Sequence, residues 1–163
     1  MMLRVRAVIV FLVIASFAFS GTGTFAQNAA VNPNATKMLQ VLQASGYQFT
    51  QLRPDVWTID RTGNSMKNIK VILSVGGDLL VIFVTVAPKA RLKMTPEFML
   101  AALRLNHSLD RVKIGIDDDG DFFVRTDSSI RVVDVAELKA QVEQVAAAAN
   151  EVYEKTSSYM VAN

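Results

Sequence analysis

A chain of 163 residues with no cysteine has no disulfide framework to hold it, so stability has to come from a packed core, for which 51% hydrophobic residues are available. The 17 Lys and Arg against 15 Asp and Glu become 15 against 15 once Arg4 and Arg6 are set aside with the leader segment described next. A near-neutral remainder of one-domain size removes the simplest electrostatic case for a nucleic-acid or anionic-membrane partner.

The first residues run Met1-Met2-Leu3-Arg4-Val5-Arg6, then an almost unbroken apolar stretch from Ala7 to Phe19, then Ser20-Gly21-Thr22-Gly23-Thr24-Phe25-Ala26, small but for Phe25. This is the order of a secretory signal. The apolar run is about 13 residues, short of the roughly 20 needed to cross a ~30 Å hydrocarbon core, which favours cleavage over a permanent span. Thr24 and Ala26 meet the small-residue demand of the processing site, so residues 1–26 are expected to leave as a signal peptide and residues 27–34 to form a flexible leader. No cysteine follows to carry a lipid. The working form is expected to be periplasmic or secreted, without a stable membrane anchor.

A single α+β domain is expected over residues 35–156, with a C-terminal tail at 157–163. Asn32-Pro33 supplies a cap and a proline at the first helical position, Gly46 stops the segment, and Ala35, Met38, Leu39 and Leu42 share one face. Tyr47–Leu52 and Val56–Ile59 read as two short strands around the Pro54-Asp55 turn, and Ile69–Val75 with Leu79–Ala87 as a hairpin around Gly76-Gly77-Asp78. Leu79 to Val86 is apolar on both faces, which predicts a central strand covered on both sides. Thr95-Pro96-Glu97 starts a second helix reaching about Leu109. Its Phe98, Ala102, Leu105 and Leu109 form one stripe, and Met99, Leu100 and Leu103 a second beside it, an apolar arc wider than one core face requires. Arg111–Ile116, with Val112, Ile114 and Ile116 inward, and Asp121–Thr126 make another hairpin. Asp134 and Glu137 then open a long helix with Val135, Leu138, Val142, Val145, Ala149 and Val152 on one face, running to about Lys155. The order is α-ββ-ββ-α-ββ-α around one antiparallel sheet.

Leu103-Arg104-Leu105-Asn106, then Val112 to Arg125 with its Asp117-Asp118-Asp119-Gly120-Asp121 centre, then an acidic cap and an alanine-rich helix, resemble the YbjN-type domain of bacteria; Gly46-Tyr47 and Val56-Trp57-Thr58-Ile59 fit its opening segment. The resemblance spans roughly Lys37 to Lys155. It implies a type III secretion chaperone-like fold and a sensory or regulatory role, in small modules that tend to dimerise and bind other polypeptides without catalysis. It carries no catalytic residues. The export signal departs from the cytoplasmic members of that family.

The remaining candidates for chemistry read as structure. The Asp117–Asp121 cluster fails the EF-hand spacing, since Gly120 at the sixth position puts Thr126 where a bidentate Glu belongs, and an Asp-Gly turn explains it. His107 is the lone histidine and has no cysteine to join in a zinc set nor a nucleophile beside it. Trp57 reads as a packing residue and Ser74–Asp78 as a turn. Lys89, Arg91 and Lys93 read as a solvated connection. No catalytic, metal or cofactor site is therefore expected. The surplus stripe Met99, Leu100 and Leu103, with His107, is the candidate interface for a homodimer or a polypeptide partner. The alternative is an envelope sensor that holds a small molecule or ion on the sheet.

Overall fold

Asn32 starts the first helix by accepting a hydrogen bond from the Asn34 N–H (3.0 Å), and Pro33 fills the position where no intrahelical N–H is needed. In the computed structural model, which describes residues 32–161, the helix is α1 (Pro33–Ser45), ended by Gly46 at φ 76°. There follow β1 (Thr50–Arg53), β2 (Val56–Arg61), β3 (Ile69–Gly76), β4 (Leu79–Ala87), α2 (Pro96–Ser108), β5 (Lys113–Ile116), β6 (Phe122–Ser129) and α3 (Val135–Thr156). The expected signal peptide and the first residues of the expected leader lie outside the described residues. Of the leader, Pro33 and Asn34 are already helical.

The six strands form one antiparallel sheet in the order β1-β2-β3-β4-β6-β5. The period-2 pattern decides its faces. Ile69, Val71, Leu73 and Val75 of β3, Leu80, Ile82, Val84 and Val86 of β4, and Phe122 and Val124 of β6 are buried together. Against them lie Met38 and Leu42 of α1 and Leu138, Val142, Val145, Ala149 and Val152 of α3, in one core. Each Val, Leu, Ile, Phe or Met side chain among them contributes about 1.5–3 kcal/mol when fully buried. Trp57 lies in this core with no exposed surface.

Four expectations change. β4 is central, between β3 and β6, but it is not covered on both sides: Leu80, Ile82 and Val84 are buried on the helical side, and the outward Val81, Phe83 and Thr85 are only part-buried. β5 begins at Lys113 and not at Arg111, because Arg111 sits at φ 60°, a left-handed conformation incompatible with a strand. Ile116, expected inward, is 40% exposed at the end of this edge strand. The segment after α3 is also more than a tail. Ser157–Tyr159 forms a 3-10 turn, Met160 bridges to Leu92 and is buried, and the Lys93 N–H donates to the Tyr159 carbonyl at 2.9 Å.

Candidate functional site

α2 is held by one side only. Thr95 Oγ1 accepts from the Phe98 N–H (3.2 Å), and Glu97 stands in the first turn, where its own backbone N–H and the Thr95 hydroxyl hold its carboxyl below the usual range. Phe98 and Leu105 are buried, with Ala102 and Leu109 partly so. Phe98 meets Phe122 edge-on at 5.0 Å between ring centroids and Tyr159 at 5.8 Å. These residues anchor the helix to the sheet and to the folded-back C-terminal segment.

The other side of α2 carries the second stripe. At 100° per residue, Met99, Leu103, His107 and Leu100 span about 100° of the helix surface. Met99 is 54%, Leu100 48% and Leu103 67% exposed, and His107 is exposed with them. The structure thus brings the four sequence-predicted residues onto one outward strip. Met94, just before the helix, and Ile116, on the neighbouring β5, are two further exposed apolar side chains. Asn106 Oδ1 accepts from the Ile114 N–H at 2.9 Å and so satisfies a donor that edge strand β5 would otherwise show to solvent.

The uncovered sheet face has chemistry that the sequence reading did not single out. Phe83 of β4 pairs with Arg125 of β6, Val81 with Asp127, and Lys113 of β5 with Arg125. The Asp127 carboxylate, 15% exposed, accepts from Lys113 Nζ at 2.5 Å and pairs with Arg125 Nε at 3.3 Å. Phe123 lies across Gly115, where a Cβ would come within 2.8 Å of its ring, and the Arg125 guanidinium sits over that ring at 5.7 Å. Val81, Phe83, Asp117, Phe123 and Arg125 line a shallow depression of about 180 Å³. The signal for it was in the sequence: the outward parity of β4 reads Val81-Phe83-Thr85, where a solvated face calls for polar residues.

The other polar clusters are structural. Asp117 Oδ1 accepts from the Asp121 N–H (2.8 Å), Asp121 Oδ1 from the Lys89 N–H (2.8 Å), and Gly120 turns at φ 89°. Two of the four carboxylates of that loop are thereby committed to backbone donors. Among the described residues no group of three His, Cys, Asp or Glu side chains stands close enough to hold a metal ion, and no helix is long and apolar enough to cross a membrane. Glu143 on α3 accepts from the Tyr47 hydroxyl at 2.9 Å and pairs with Arg61 of β2. Partial burial, then the hydrogen bond to Glu143, push the Tyr47 phenol up to about 12. Partial burial opposes the Glu143 carboxylate, but hydrogen bonds from Arg61 and Tyr47 outweigh it and hold its pKa below the usual value. This trio ties the β1 approach, β2 and α3 together.

The family model YbjN, "Putative bacterial sensory transduction regulator", matches residues 34–156. No curated protein matches the chain. Among solved structures, a chain of the heterodimeric ExoU–SpcU complex of the Pseudomonas aeruginosa type III secretion system is similar at a TM-score of 0.54 and 14% identity, over 73% of this chain and 97% of the other. YbjN of E. coli is similar at 0.53 and 14%, over 78% and 95%. A chain of the ExsC–ExsE complex is similar at 0.52 and 12%, over 82% and 98%. At these identities the likeness is one of fold, and that fold is the secretion-chaperone-like α+β module.

Proposed function

Since the chain belongs to the YbjN family, we propose that it is an exported, non-enzymatic protein-binding module of chaperone-like, regulatory type, and that it works as a homodimer through the outer face of α2. The observation that carries this reading is the strip Met99, Leu100 and Leu103, large apolar side chains standing in solvent on a helix whose opposite side is already anchored. Isolated exposed leucines need no explanation, but three large side chains on one strip, with His107 among them, are the pattern of a surface that meets another. A two-fold dimer uses the same patch twice, so an apolar strip on one copy supplies its own complement. Structures of similar fold have been solved in complex with partner chains, which is consistent with a module that binds polypeptides.

Sedimentation equilibrium at high micromolar concentration tests the dimer. A dimer for the wild type and a folded, cooperatively melting monomer for Leu103→Asp are the expected results; a wild-type monomer overturns the reading, and an unfolded Leu103→Asp reassigns the strip to the core. Export rests on the N-terminal order of Arg4 and Arg6, the apolar run and Ala26. Fractionation of expressing bacteria followed by mass spectrometry should give a periplasmic or secreted chain starting at Gln27. A full-length cytoplasmic chain overturns it.

A further inference from the structure

The depression on the open sheet face lies opposite the helices, so it is independent of the α2 interface. Its volume, about 180 Å³, falls below the roughly 300–1,000 Å³ of sites for drug-sized ligands. The occupant it fits is therefore small. Val81, Phe83 and Phe123 give it an apolar, largely aromatic wall.

Two opposite charges share that wall. Phe123 lies beneath the Arg125 guanidinium, Nη2 donates to Asp127 Oδ2 at 3.3 Å, and Nε stands 3.3 Å from Asp127 Oδ1 as an ion pair without a hydrogen bond. Its Nη1 has no hydrogen-bond partner among the described residues. Asp117 commits Oδ1 to the Asp121 N–H, and its Oδ2 has no partner among the described residues either. A simple anion would be drawn to Arg125 and repelled by Asp117, and a simple amine would meet the reverse conflict. A molecule carrying both groups satisfies both residues.

We infer that this depression binds a small zwitterion, an amino acid with an apolar or aromatic side chain, its carboxylate on Arg125, its ammonium group on Asp117 and its side chain against Phe83, Phe123 and Val81. The probe is L-phenylalanine, titrated into isotope-labelled full protein to about 10 mM and followed by amide NMR shifts. Shifts should appear at residues 81–83, 117 and 123–125. Phenylpropanoate, which lacks the amine, and phenethylamine, which lacks the carboxylate, should each bind about ten-fold more weakly or less. Asp117→Asn keeps an oxygen for the Asp121 N–H, and so the hairpin, while it removes the charge; it should abolish the preference for phenylalanine over phenylpropanoate. No shifts at these residues, equal responses to the three compounds, or an unchanged preference in Asp117→Asn would each overturn the assignment.

Discussion

Helices α2 and α3 open with the same chemistry and meet different surroundings. In each, a side-chain oxygen accepts from the third helical N–H, Thr95 from Phe98 and Asp134 from Glu137, and a glutamate stands in the first turn. In α3 nine of 22 residues are buried, because the helix lies along β3, β4 and β6. In α2 only two of 13 are buried, although its apolar content is high. Apolar composition determines how much surface a helix needs covered; the topology determines how much of that cover its own chain provides. α2 packs on the edge strand β5 and on α3, and its second stripe is left over.

The widest break between the two helices should come from truncating one leucine in each. Leu138, with no exposed surface, should cost about 2–5 kcal/mol as Leu138→Ala, through lost transfer energy and the cavity left behind. Leu103→Ala should cost within about 0.5 kcal/mol, as for surface substitutions generally, when measured at concentrations where the protein is monomeric. Urea unfolding of the two variants checks the contrast. Comparable losses would mean that α2's outer strip is core.

Capping sharpens the same comparison from the other side. The hydrogen bond at Thr95 and that at Asp134 satisfy the same class of orphan N–H, and neither depends on what the rest of the helix buries. Thr95→Ala and Asp134→Ala should therefore each cost about 1 kcal/mol in thermal or urea unfolding, in spite of the difference in burial. A much larger loss at Asp134 alone would show that the cap of α3 also fixes the docking of the helix.

What could be read in the sequence was local. Asn32-Pro33, Thr95-Pro96 and Asp134 with Glu137 start helices because a short polar side chain and a fixed φ act within one turn, and the structure keeps all three. The two stripes of α2 follow from its spacing alone. What could not be read depends on distant segments. That β4 takes β6, the far arm of the last hairpin, as its neighbour is set by a connection that carries the chain across α2. Whether Val81 and Phe83 face a second layer or solvent depends on where all three helices land. The left-handed Arg111 is another such case, since nothing in its own identity requires that conformation. The depression at Arg125 was missed because its lining comes from β4, β6 and the turn at Asp117, which are far apart in sequence.

The smallest expected difference lies in the polar ties. α3 is bound to the rest of the molecule through Glu143, with Tyr47 and Arg61 as partners, at the surface. Exposed pairs of this kind contribute up to about 1 kcal/mol. Because the folded state holds the Glu143 pKa below the ordinary glutamate value, its contribution is complete above about pH 4.3 and is lost as pH falls through the lower folded value. Glu143→Gln should thus be slightly less stable than the wild type near neutrality and converge with it in acid. The phenol works in the opposite sense. Its value is raised to about 12, so the contribution of neutral Tyr47 is complete below the unfolded value near 10 and is lost as pH climbs from there toward 12. Tyr47→Phe has no proton to lose, so its stability deficit against the wild type should shrink over that alkaline range. Urea midpoints measured across both windows separate the two limbs, and a constant offset between wild type and either variant would show that the trio contributes by packing and not through its charges.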